Sequence, residues 1–290
     1  MFLGNINTIP TTVNLNSGGG GGGLVSTNKF FFNGNTGSLS TTSQFLWRYP
    51  DAISISCWVT FGDEIFTGTT VENYVIVDQA GNSQTSISTG YSLYVTRTAT
   101  GAKLLRFQIG TGTAPSNPSQ QRAQINLNAL RTSATQVFYI LATYNASGPG
   151  TIALYLRGEG IQPQENTQQP QLPGNISYNN QTNRFCVGNT SPTANVGFEG
   201  HVDELGIFSE VLNSSNADDI YNWDVNGNLL NYSNDNNLNI GAWYRMGEDT
   251  TFAGTSFTMP NSANGNTSER LESTDLGLSD NQQPGLPPPQ

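Results

Sequence analysis

The segment Ile53–Phe61, ISISCWVTF, puts Ile53, Ile55, Cys57, Val59 and Phe61 at odd positions and Ser54, Ser56, Trp58 and Thr60 at even ones. Side chains on a strand alternate between faces, so this spacing predicts a strand with one face in a core. Short runs rich in β-branched and aromatic residues recur before and after it. They are Lys29–Asn33 (KFFFN), Asn73–Asp78 (NYVIVD), Gly90–Arg97 (GYSLYVTR), Lys103–Ile109 (KLLRFQI), Val137–Tyr144 (VFYILATY), Thr151–Arg157 (TIALYLR) and Asn183–Gly188 (NRFCVG). Clusters of Gly, Pro, Asn and Ser separate them. Roughly nine or ten short strands spaced this way predict an all-β sandwich of antiparallel sheets. Only 11% of the chain is charged, which suits solvated sheet faces and turns better than amphipathic helices.

The segment Phe198–Tyr221 reads as strand, turn and short helix. Apolar residues occupy even positions up to Val202 and odd ones at Leu205 and Ile207. That change of parity predicts a bulge at the Asp203-Glu204 pair. Ser215, followed three residues later by Asp218, marks the start of the one helix expected, near Asn216–Tyr221. Thr113–Gln121 and Gln162–Gly174 are rich in Pro, Gln and Asn and read as surface loops.

Around this sandwich, expected over 24–222, lie two appendages. Residues 1–23 form an extended arm ending in the glycine run Gly18–Gly23, a flexible joint. Residues 223–290 form an extension with one apolar island, Leu238–Met246, and a GLPPPQ end that favours polyproline conformation. Within it, 238–247 is expected to pair back onto the sandwich.

The net charge of −10 and the scatter of eleven basic residues exclude a nucleic-acid surface, which needs clustered cations. No run of eighteen apolar residues predicts a membrane span, and MFLGNINTIP lacks the basic start and apolar run of a secretory signal. Cys57 falls in phase with core residues. Two buried free thiols are expected for Cys57 and Cys186, in a chain made in a reducing cytoplasm, with a disulfide left open.

The order ISISCWVTF, GYSLYV, LRFQIGTG, FYILATYN…GTIALYLRG, RFCVGN and GFEGHVDELGIFSEVLNSSNADDIYN resembles a concanavalin A-like jelly roll of the laminin-G or pentraxin type, from Asn28 to Asn222. The downstream stretch GAWYRMGED…MPNSANGNTSERLESTD is similar to a tail that follows this domain in virion proteins of marine tailed phages. Trp243, Arg245, Met246, Gly247, Asn261 and Gly265 match, while Glu248-Asp249 replaces the usual final aspartate. The resemblance implies a non-enzymatic bacteriophage structural protein at the virion surface, a capsid decoration or fibre-like appendage involved in host attachment. Residues 1–23 would anchor it to other capsid or tail proteins, with a homo-oligomer, such as a trimer, as a further expectation. Recognition of host-surface glycans by a tail or receptor-binding protein is the alternative, and glycoside hydrolysis a weaker one.

Retaining glycosidases need two carboxyl groups about 5–5.5 Å apart. Glu199, His201 and Asp203 share one strand parity, but a histidine takes the middle place and Glu204 points the other way. No G-x-S-x-G elbow accompanies His201, so no catalytic residue is assigned. Relatives of the laminin-G and pentraxin type bind calcium through Asp, Asn and backbone carbonyls on rim loops. Here the candidate ligands are Asp78, Asn82, Asp203 and Glu204. For carbohydrate, rings on loops and edges are the candidates: Trp47, Tyr49, Tyr178, Trp223 and Tyr232. Trp58 and Trp243 are expected to pack.

Overall fold

The structure, a computed structural model, describes residues 30–34, 38–44, 46–80, 87–178, 184–189, 197–222, 229–246, 251–253, 256–264 and 267–274. Residues 1–23, Asn82, Trp223, Gly247, Gly265 and the GLPPPQ end lie outside them.

Two antiparallel sheets pack face to face as a jelly-roll sandwich. Sheet A is seven-stranded. It runs β1 (Phe30–Asn33), β12 (Glu199–Phe208), β3 (Ala52–Thr60), β8 (Val137–Asn145), β9 (Thr151–Gly158) and β10 (Gln164–Gln168), with β13 (Ile240–Tyr244) also on β12. The nine-stranded sheet B begins β14 (Thr251–Ala253), β15 (Ser256–Met259), β16 (Leu271–Thr274), β2 (Ser38–Thr41) and β11 (Cys186–Val187). It continues through β4 (Glu72–Asp78), β5 (Thr89–Arg97), β6 (Lys103–Thr111) and β7 (Arg122–Asn126).

Ile53, Ile55, Cys57 and Val59 of β3 meet Tyr91, Leu93 and Val95 of β5 and Leu105, Phe107 and Ile109 of β6 in the inter-sheet core. Trp58 falls on the other side of β3, where a second apolar layer forms with Tyr139, Phe208, Ile220, Tyr232 and Trp243. Helices α2 (Ser214–Tyr221) and α3 (Leu229–Asp235) contribute to that layer. Sheet A is thus apolar on both faces, whereas sheet B turns a polar face outward. The cysteines sit in different sheets and are free and buried. Burial raises both thiols, Cys186 to about 12, so neither is a thiolate at neutral pH.

The structure departs from the expectations at several elements. Helix α2 begins at Ser214 because Asn213, not Ser215, is the cap: its side chain accepts from the Ser215 and Asn216 amides, and Asn216 returns the bond. Among the described residues two further α-helices are present, α3 and α1 (Asp63–Thr67). Helix α1 buries only Ile65, too little for an apolar period to register. Gln164–Gln168, inside an expected loop, is the edge strand β10. Its residues alternate between half-buried and exposed without an apolar side chain, so backbone pairing with β9 holds it. Ser38–Thr41, buried along its whole length with one apolar residue, and Arg122–Asn126, which alternates, are also strands, both too short to stand out.

The bulge in β12 falls at the acidic pair. Register against β3 shifts between Asp203 and Gly206, and Glu204 adopts φ +45°, the left-handed region. The side chain of Asp203 accepts the Glu204 amide at 2.8 Å, closing the bulge on itself. Beyond it, β13 pairs with β12 from Leu205↔Tyr244 to Phe208↔Ile240. Buried Asn261 ties the chain end to that strand, accepting the Trp243 amide at 2.9 Å and donating to the Gly241 carbonyl at 3.0 Å and to Glu269 at 2.9 Å.

Candidate functional site

The acidic strand β12 uses its carboxylates for structure. Glu204 is buried and accepts the Trp243 indole N–H at 2.5 Å, with the Arg245 guanidinium 3.7 Å from its other oxygen. Glu199 reaches the opposite way, accepting the Glu64 amide of α1 at 2.7 Å. His201 bonds Thr60 Oγ through Nδ1 at 2.9 Å, and its ring lies tilted against Phe31, 5.0 Å between centroids. The acids diverge from one another along the strand instead of facing a common cleft.

Burial, and then the neighbouring Glu64 and Asp63 charges, hold the Glu199 carboxyl above its ordinary value of 4.5, against the opposing amide bonds. A raised carboxyl binds more protons folded than unfolded, so this group's contribution falls as pH rises from 4.5 through the raised value. Glu199→Gln keeps an acceptor for the Glu64 amide and removes the charge. Its melting temperature should exceed that of the parent at pH 7 and match it at pH 4, in parallel thermal scans. A parent-like difference at both pH values would contradict the assignment.

The candidate calcium ligands do not come together. Asp78 is buried in β4 of sheet B, while Asp203 and Glu204 lie on β12 of sheet A, and Asn82 lies outside the described residues. No cluster of three or more His, Cys, Asp or Glu side chains fit for a metal exists among the described residues.

The candidate rings divide between core and rim. Trp47, 6% exposed, has φ +60° and donates its indole N–H to the Tyr244 hydroxyl at 3.0 Å. Tyr232, 1% exposed, sits in α3 and accepts from Asn216. Neither offers a face to a sugar. Tyr49 and Tyr178 are half-buried at the Trp47 end of the sandwich, joined by a hydroxyl-to-carbonyl bond of 3.3 Å, with Arg48 over the Tyr178 ring. Trp223 lies outside the described residues.

A denser polar constellation lies on the outward face of sheet B. Because odd residues of β5, β6 and β7 enter the core, even ones face out: Ser92, Tyr94 and Thr96, then Arg106 and Gln108, then Arg122 and Gln124. Register stacks them into rows, Asp78↔Ser92↔Gln108↔Arg122 and Tyr94↔Arg106↔Gln124. Ser92, Tyr94 and Gln108 form the floor at 0% exposed, Arg106 and Arg122 are half-buried above it, and Gln124 is exposed.

Hydrogen bonds fix the arrangement. The Tyr94 hydroxyl donates to Gln108 Oε1 at 2.8 Å and accepts from the flanking Arg122 and Arg106. Arg106 also donates to Gln124 at 3.2 Å and to Thr96 at 2.9 Å. Burial raises the Tyr94 phenol despite the two arginines, so it is a neutral donor at physiological pH. Ser92 Oγ and Arg122 Nε are buried without a hydrogen-bond partner. Sequence reasoning placed β5 and β6 but passed over this face, because Arg122–Asn126 follows the Pro118–Gln121 turn inside what read as loop. Alternation of Ala123 and Ile125 with Arg122, Gln124 and Asn126 is the signal that could have found it.

No protein-family model matches the chain, and no curated protein matches its sequence. Among solved structures, a proposed carbohydrate-binding protein from Bacteroides ovatus superposes with a TM-score of 0.51 at 12% identity, over 87% of this chain and 59% of that one. The enzymatically active domain of bacteriophage CBA120 tailspike protein 2 gives 0.43 at 14% identity, over 72% of this chain and 32% of that chain. A heptameric SAP-like pentraxin from Limulus polyphemus gives 0.42 at 10% identity, over 67% and 82%. The chain thus spans about a third of the tailspike chains it matches. At these identities the likeness is one of fold, and the Bacteroides superposition is the one that carries it.

Proposed function

We propose that the chain is a non-enzymatic carbohydrate-binding sandwich displayed on a phage particle, and that it binds through the outward face of β5, β6 and β7. The observation that carries this reading is the polar face itself. Neutral and charged donors stand in register on three rigid strands, with a buried floor and an exposed rim. Sugars are read by such fixed donors and acceptors. The remaining described surface offers little to a protein partner of ordinary kind, whose contact has an apolar centre. Its exposed large hydrophobics are Val71 and Val211. Engagement of each β12 carboxylate by amide, indole or guanidinium supports the non-enzymatic half.

Gln124→Trp puts a bulky ring on the exposed rim without entering the core. The parent chain should bind a subset of an immobilised glycan array, and Q124W should lose that binding with an unchanged melting temperature. A blank array, or binding that Q124W leaves intact, would contradict the proposal. The virion assignment rests on the sequence resemblance alone, and residues 1–23 are its proposed anchor. A chain lacking them should be absent from purified particles; full incorporation of the truncated chain would overturn the anchor.

A further inference from the structure

Among the described residues, Arg97, Arg131, Arg157, Arg245 and Arg270 each lie against an acidic side chain. Arg106 and Arg122 do not. They stand on adjacent strands of one sheet face, diagonal in register, since Arg106 opposes Gln124 and Arg122 opposes Gln108. Both lean toward one phenol oxygen, Tyr94 OH, which is neutral. Two like charges therefore share a half-buried site in a protein of net charge −10, with no ion-pair partner among the described residues.

The cost of that arrangement shows in Arg106, whose affinity for its proton is lowered by burial and then by the Arg122 charge. Arg122 also keeps one buried N–H, at Nε, without an acceptor. Nearby on the same face, Ser92 Oγ is buried without a partner of its own. A site with two cationic forks, an unused guanidinium donor and an unused hydroxyl lacks an anionic acceptor. The guanidinium fork matches the two oxygens of a carboxylate.

We infer that the Arg106–Arg122 pair receives the carboxylate of an acidic sugar, so that the ligand class is a uronic-acid-containing glycan. The inference rests on the outward face of sheet B being the binding face. The carboxylate lies between the guanidiniums, and exposed Gln124 on the rim is left to bond the ring hydroxyls. Charge-assisted bonds are about twice as strong as neutral ones, and a carboxylate here relieves the repulsion between the arginines as well. Discrimination against a neutral sugar is therefore built into the pair.

The test is titration of the full chain with a uronic acid oligosaccharide and with its carboxyl-reduced counterpart, by calorimetry at low and high salt. The parent should bind the acidic probe about tenfold or more tightly than the reduced one, and weaken as salt rises. Arg106→Gln with Arg122→Gln should erase that preference while keeping the parent's melting temperature. The milder Arg122→Lys, which retains charge and loses the fork, should keep part of it. Equal binding of both probes, abolished by Gln124→Trp, would overturn the acidic-sugar inference and leave the face standing. Binding of the acidic probe that neither the double variant nor Gln124→Trp reduces would overturn both, as would no binding of either probe.

Discussion

Gly200→Ala is expected to leave little folded protein at 37 °C. Gly200 has φ +142°, a backbone region that side chains rarely occupy, and it sits where β12 passes the end of β3. A Cβ there would lie 2.0 Å from the Thr60 carbonyl oxygen and 3.2 Å from the Phe198 ring. Thr60 cannot yield: it pairs with Val137 of β8, and its hydroxyl holds both the amide and the imidazole of His201. Strain and overpacking together should cost about 3 kcal/mol or more. A control, Gly160→Ala, also has a positive φ, +74° and so milder than that of Gly200, but nothing within 4 Å of its Cβ, so it should cost only the strain. Equal urea midpoints for the two variants would refute the steric account.

Arg97→Met should rank with it. The Arg97 side chain is 1% exposed and gathers the segment between α1 and β4. It donates to the Thr70 carbonyl at 2.6 Å, the Thr70 hydroxyl at 3.0 Å and the Glu64 carbonyl at 2.5 Å, pairs with Glu72, and lies over the Tyr74 ring. Gly68 makes room for it, since a Cβ there would lie 2.1 Å from the guanidinium. Methionine keeps the stem and removes every donor, stranding the Thr70 and Glu64 carbonyls and the Glu72 carboxylate. Each acceptor left without its donor costs about 1–3 kcal/mol, so losing Arg97 should lower the melting temperature on the order of 10 °C. Glu72→Gln should cost much less, because Glu72 is partly exposed and Arg97 keeps its carbonyl acceptors. A Glu72→Gln penalty as large as that of Arg97→Met would show that the ion pair, not the carbonyl clasp, holds the segment.

The inter-sheet core was legible because its signal is local. Alternation in ISISCWVTF and GYSLYVTR assigns each residue a face before any partner is known, and Cys57 and Trp58 fell on the faces expected. The bulge was legible for the same reason: a parity change between Val202 and Leu205 has no other backbone solution in a continuous strand. Elements held by backbone pairing or by one distant contact were not. QENTQ carries no apolar period, and α1 depends on Arg97, thirty-odd residues on, to bind its carbonyls.

The surroundings of the candidate residues were hidden for a different reason. Trp47 and Tyr232 looked like loop or edge rings, yet the first fills the end of the core and the second belongs to an unforeseen helix. Arg106 and Arg122 looked like ordinary solvated residues of an outward face. What distinguishes them is the absence of an ion-pair partner among the described residues and their convergence on Tyr94, both products of register across strands sixteen residues apart.

Nuclear magnetic resonance of the arginine side chains tests the binding face most directly. The Nε–H resonances of the full chain are followed as the tightest-binding glycan from the array is added. Shifts confined to Arg106 and Arg122, with the Gln108 and Gln124 side-chain amides moving alongside, are the predicted result. Shifts at Arg48, beside Tyr49 and Tyr178, or at Arg157 and Arg245 on the helical side of sheet A, with Arg106 and Arg122 unmoved, would contradict it.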